Sequence, residues 1–166
     1  MKFNWKGLTL LFLLFYFVGD PLRQLLMRGE SDIFDYDEGI KDVILTLSTL
    51  FSFYTYCLIS YACFYFFFPQ KKWIYIFLGL ILAILAPIGL RYLIQEIAFD
   101  YFLGYTNYRK GISAVAYIRD NLYFSFRFIS YGIFFYLITF TFYKERREKS
   151  LHLEKQKMEL SLLRSQ

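Results

Sequence analysis

The sequence predicts an all-α membrane protein, a bundle of four transmembrane helices followed by a cytoplasmic C-terminal amphipathic helix. Three observations predict it. Hydrophobic residues make up 57% of the 166-residue chain and aromatics 23%, more than a water-soluble domain carries. Long runs without a charge recur at Leu8–Val18, Val43–Phe68 and Ile74–Leu90, and again, broken only by Arg127, at Leu122–Tyr143. The chain then turns polar: Lys144–Gln166 is rich in Lys, Glu, Leu, Gln and Arg and free of Gly and Pro, a composition that favours helix. The chain therefore divides into a transmembrane region, 1–143, with spans at about 5–27, 43–68, 73–95 and 122–143, and a linker helix, 144–166.

The first span opens with Lys2, Trp5 and Lys6. A positive start and a short apolar run also describe a signal peptide, but no small-residue cleavage site follows. An uncleaved helix over Trp5–Met27 has the ~20 residues that a bilayer core requires. The loop Gly29–Asp42 then carries six acids against Lys41, as a solvated loop or as a binder of cations or cationic peptides.

In the second span, Ser48, Ser52 and Thr55 share one helical face. Small hydroxyls in such a row are helix-packing positions or, less simply, a pore lining. Cys57 and Cys63 lie in the same apolar run, where a thiol behaves as a small hydrophobe; no disulfide or metal spacing accompanies them. Pro69–Trp73 is a turn so short that the second and third spans must be antiparallel neighbours. Lys71 and Lys72 beside Trp73 mirror Lys6 beside Trp5, which puts both places at one membrane face.

The third span contains the small-residue pair Gly79 and Ala83, suited to close helix approach. Pro87 with Gly89 predicts a hinge, because proline removes one backbone donor and clashes one turn back. From Arg91 to Gly104 the helix is expected to continue as an amphipathic extension, with Arg91, Gln95, Glu96 and Asp100 along a polar stripe. The loop Gly104–Asn121 is expected to turn at 106–111 and to form a short interfacial helix at 112–118. Arg127, in the first turns of the fourth span, then needs a partner or must snorkel. Asp20 and Glu96 are its natural partners in a structural ion pair. The sharper alternative is a ligand-responsive cluster of Asp20, Arg23, Arg91, Glu96 and Arg127.

The net charge of +5 is not arranged as a basic, aromatic-laced surface patch, which argues against a nucleic-acid partner and for an anionic bilayer face. Lys2, Lys6, Lys71, Lys72, Lys144, Arg146, Arg147 and Lys149 fall on one side. The positive-inside rule makes that side cytoplasmic, with both termini, although Arg91, Arg109, Lys110 and Arg119 weaken the count. No phosphate loop, nucleophile motif or His/Cys cluster is present, and His152 reads as an exposed helix residue. The sequence therefore offers no catalytic, cofactor-binding or metal-binding residue.

In the last segment, Leu151, Met158 and Leu162 share a face and Leu153, Leu160 and Leu163 a neighbouring stripe, flanked by Lys and Glu. This is the pattern of a short bundle or coiled-coil segment, which would gain stability by pairing with a second copy in a homodimer. The sequence EKQKMELSLLRSQ resembles the juxtamembrane linker of bacterial membrane histidine kinases associated with LytTR-type response regulators. RYLIQEI and GYTNY before the last span are similar to the four-helix sensory regions of that family. The resemblance implies a bacterial inner-membrane sensory and dimerisation module of a two-component system. Its phosphoacceptor histidine would come a few residues beyond Gln166, so His152 is not its equivalent. ATP, Mg and a cognate response regulator would belong to the kinase region. The rival reading is a small non-enzymatic membrane protein, a carrier, channel or assembly subunit, whose basic tail binds lipid or a partner.

Overall fold

The computed structural model describes residues 2–19, 39–108 and 112–165. Four helical elements order it. Helix α1 covers Trp5–Gly19, with its last turn, Phe15–Gly19, widened to π geometry. Helix α2 covers Ile40–Phe67, α3 covers Trp73–Leu103 and α4 covers Ala114–Ser165. The described residues are almost wholly helical, and α2, α3 and α4 are each long and apolar enough to cross a membrane. The part of the expected first span beyond Gly19, including Asp20 and Arg23, and most of the acidic loop lie outside the described residues.

Each element ends where local chemistry ends it. The Asn4 side chain accepts the Gly7 amide at 3.0 Å and caps α1. Helices α2 and α3 are joined by the expected tight turn, in which Lys71 takes a left-handed backbone conformation (φ 54°). Helix α3 runs unbroken through Pro87 and Gly89 and widens to π geometry at Leu93–Ala98. It stops at Gly104, whose φ of 63° makes a left-handed cap with its amide bonded to the Asp100 carbonyl.

One expectation is corrected. The fourth helix starts at Ala114 rather than Leu122, so the separate interfacial helix at 112–118 is the first turn and a half of one 52-residue helix. Ser113 Oγ accepts the Ala116 amide at 3.2 Å and starts it, and no Gly or Pro interrupts it before Asn121. The helix continues without a break from Tyr143 into Lys144. The boundary there is one of packing: α4 keeps a buried or partly buried face as far as Phe140, and its described side chains are exposed from Thr141 onward.

The interior is built from aromatic rings. Phe12, Phe53, Tyr56, Tyr61, Phe128 and Tyr136 are all at most 4% exposed. Phe53 stacks on Phe128 with centroids 4.4 Å apart, and Phe12 meets Phe128 at 5.8 Å. Small residues let the backbones close in. A Cβ on Gly132 would stand 2.1 Å from Ser60 Oγ and 2.4 Å from the Cys57 carbonyl oxygen, so α2 and α4 touch there. A Cβ on Gly79 would stand 2.3 Å from Cys63 Sγ, which bears out Gly79 as a packing position between α2 and α3. Both cysteines are buried, and Cys57 Sγ donates to the Phe128 carbonyl at 3.0 Å.

The N-terminus packs beside the α2–α3 turn. Phe3 contacts Tyr61, Tyr65 and Phe66, while Phe68 meets both Trp73 and Phe140. Lys2 and Arg146 line one surface recess, and Pro69, Gln70 and Arg147 line another. The basic groups of the N-terminus, the short turn and the start of the tail thus gather at one end of the bundle.

Candidate functional site

At the opposite end, polar side chains from three helices converge on one guanidinium. Arg91 on α3 is 6% exposed. Its Nε donates to Gln95 Oε1 at 2.8 Å and its Nη1 to Asn121 Oδ1 on α4 at 2.8 Å. Because a guanidinium only donates, both amides must turn their oxygens toward it and their nitrogens away. Gln95 Nε2 then donates to Ser48 Oγ and Thr49 Oγ1 on α2, each at 2.8 Å. Asn121 Nδ2 bonds its own helix at the Tyr117 carbonyl, 2.8 Å away. Asn107, from the loop after α3, adds a bond to Gln95 Oε1 at 3.0 Å.

The surroundings make this charge unusual. The Phe53 and Phe124 rings lie 5.3 and 5.8 Å from the guanidinium carbon, within cation–π range. Among the described residues no carboxylate comes within ion-pair distance of Arg91. Glu96 is within its electrostatic reach, but its Oε1 accepts the Tyr108 amide at 3.3 Å. The charge is thus carried by neutral acceptors and ring faces. Among the described residues, the Tyr117 hydroxyl is buried with no hydrogen-bond partner, and the Tyr56 hydroxyl is buried against Ser125.

Gln95 sits in the π-turn, a widening that recurs at functional sites. In the expected amphipathic extension of α3, the polar stripe faces inward at Arg91 and Gln95. The apolar stripe of Tyr92, Leu93, Ile97 and Phe102 is 46–78% exposed. That is the reverse of a water-facing helix and suits a lipid-facing one.

Depth follows from helix rise. Arg91 is eighteen residues past Trp73, about 27 Å along α3. A bilayer core is about 30 Å thick. With Trp73 at one boundary, the Arg91 network falls near the other, and not at the midplane.

Of the residues singled out in the sequence, Arg91 and Glu96 share this region. Arg127 lies six residues beyond Asn121 on α4, about 9 Å deeper. Its Nε donates to Tyr131 Oη at 3.0 Å, it packs over the Phe128 and Tyr131 rings, and its Nη2 is 3.8 Å from where a Cβ on Gly19 would stand. The expected pairing of Arg127 with Glu96 does not form, since the two hold different partners at different levels. Asp20 and Arg23 lie outside the described residues. Pro87 is buried, whereas Gly89 is exposed with open space where a Cβ would go. In the tail, Leu151, Met158, Leu160 and Leu162 are 55–65% exposed. His152 is exposed and contacts Gln156 at 3.2 Å.

Sequence reasoning placed Ser48, Ser52 and Thr55 as packing residues and did not single out Gln95, Asn107 or Asn121 as partners for Arg91. A signal was present: Tyr117, Asn121, Ser125 and Phe128 recur at helical spacing, a stripe that runs straight through the assumed loop–helix boundary. All four are buried.

The described residues therefore make a helical protein of the integral-membrane type, with three helices able to cross a bilayer and a buried arginine tying them together near one end. Compared with known proteins, the chain matches no family model, no curated sequence and no solved structure.

Proposed function

We propose that this chain is the membrane sensory and dimerisation module of a bacterial two-component histidine kinase. In this reading α1, extended to about residue 27, is a fourth span, both termini are cytoplasmic, and the module sits in the inner membrane. The observation that carries the proposal is the single helix α4. It begins at the Arg91 network, crosses the aromatic core and leaves the bundle at Thr141, with its apolar stripe of Leu151, Met158 and Leu162 uncovered. A continuous helix transmits rotation or translation with little loss, and an uncovered apolar seam is stabilised by a second copy. The linker-like sequence EKQKMELSLLRSQ supports the same reading. ATP, Mg and the response regulator would engage a kinase region joined beyond this helix.

The test is to join residues 1–166 in frame to the phosphoacceptor and ATP-binding region of such a kinase and measure autophosphorylation in membranes. One to seven residues inserted after Tyr143 turn the output helix by about 100° each. Output should rise and fall with a period near that of the seam. Equal output at every insertion length would sink the proposal.

The rival, a carrier or channel subunit, is favoured by one observation, the convergence of Arg91, Gln95, Asn121, Ser48 and Thr49 inside the bundle. Their position near one boundary weighs against it, because alternating-access sites lie near the bilayer midplane.

A further inference from the structure

We infer that the Arg91 network is a binding site for the carboxylate of an amphiphilic monoanion, with its apolar tail held in the adjoining groove between α3 and α4. Three observations point to it. First, Arg91 uses two of the five N–H donors of a guanidinium on Gln95 and Asn121. Among the described residues, three donors and a positive charge without an ion-paired carboxylate remain on a side chain only 6% exposed. Second, the Tyr117 hydroxyl is buried on a residue 3% exposed, has no partner among the described residues, and lies within the electrostatic neighbourhood of Arg91 and of the buried Tyr56 hydroxyl. A buried hydroxyl without a partner costs stability. Both hydroxyls lie within electrostatic range of the Arg91 cation, and hydroxyl and guanidinium donors are what an oxyanion accepts.

Third, Tyr117 also lines an apolar groove of about 410 Å³, walled by Ile88, Gly89 and Tyr92 on α3, by Ile112 just before α4 and by Ile118 in its first turns. Gly89 leaves it open, since nothing stands within 4 Å of where its Cβ would be. The groove opens along the exposed, lipid-suited face of α3. An amphiphile dissolved in the bilayer would enter there with its head at the level of Arg91, near the boundary where lipid headgroups lie.

Charge selects the head group. The site offers one positive charge, with Glu96 in electrostatic reach. A carboxylate carries the single negative charge that matches the guanidinium, whereas a dianionic phosphate would bring a second one next to Glu96. Binding of this kind does not depend on what the tail helix drives, so its failure and the failure of the kinase reading are separate results.

The experiment uses the full chain in lipid nanodiscs with decanoate, decanol, acetate and decyl phosphate as probes, each below its micelle-forming concentration, read by calorimetry and by the thermal midpoint. Decanoate should bind and raise the midpoint; decanol and acetate should do neither, and decyl phosphate should bind more weakly. Arg91→Gln should abolish decanoate binding. If that variant does not fold, Asn121→Asp carries the same test, because it keeps the shape of the site and supplies the missing carboxylate. Tyr117→Phe should weaken decanoate binding about tenfold, the worth of a hydrogen bond to a charged group, yet leave the unliganded protein at least as stable as the parent. Equal effects of decanoate and decanol would overturn the inference, as would tighter binding of decyl phosphate. So would decanoate binding unchanged by Asn121→Asp, or a Tyr117→Phe variant that is less stable without ligand.

Discussion

Arg91 on α3 and Asn121 on α4 are joined by a 2.8 Å hydrogen bond between residues thirty positions apart in the chain, with both side chains buried. This bond fixes the start of α4 against the far end of α3. It also explains why a segment that looks like a loop is helix: Asn121 can serve Arg91 only from a helical backbone that aims it inward.

Replacing Asn121 by Leu keeps the volume and removes the acceptor. One N–H of Arg91 is then buried without a partner, and stability should fall by about 2–3 kcal/mol. Reversible unfolding of the purified protein in detergent would measure it. A loss below about 0.5 kcal/mol would mean that Arg91 finds another acceptor.

Gly132 and Gly89 should respond in opposite directions to the same substitution. Gly132→Ala drives a methyl into Ser60 Oγ and the Cys57 carbonyl, so the α2–α4 contact must open, at a cost of about 1–3 kcal/mol. Gly89→Ala meets nothing and should stabilise the helix by about 0.5–1 kcal/mol. The two thermal midpoints, measured side by side, decide it.

Cys57 and Cys63 should resist a maleimide reagent in the folded protein and react fully once it is denatured, because both thiols are buried and engaged with main-chain carbonyls. Mass spectrometry before and after denaturation reads the result. Rapid native labelling of Cys57 would show that the α2–α4 contact opens readily.

Tyr108, in the loop after α3, donates its hydroxyl to Asp120 Oδ2. Burial, and after it that bond, push its proton affinity above the usual phenol range. A folded-state value above the unfolded one means that the contribution to stability is complete below pH about 10, where the unfolded phenol titrates. It is then lost as pH rises through the folded value. Tyr108→Phe should therefore lower stability at neutral pH and flatten its decline above pH 10. Parallel alkaline unfolding curves for the two proteins would refute this.

The sequence by itself determined the class of the protein. Uncharged runs as long as a bilayer is thick, and a tail of helix-forming charged residues, leave helices that cross a membrane as the economical solution, because an unpaired backbone in hydrocarbon is too costly. It also located Gly79 as a contact and Gly104 as the edge of a loop, since both act through local backbone geometry. What only the tertiary structure decided is where the polar residues face. Hydropathy treats Arg91, Gln95, Asn107 and Asn121 as breaks in apolar character and so assigns them to extensions and loops. Four neutral or cationic side chains from separate parts of the chain become acceptable inside only when they satisfy one another, and that mutual satisfaction exists only once α2, α3 and α4 are packed together.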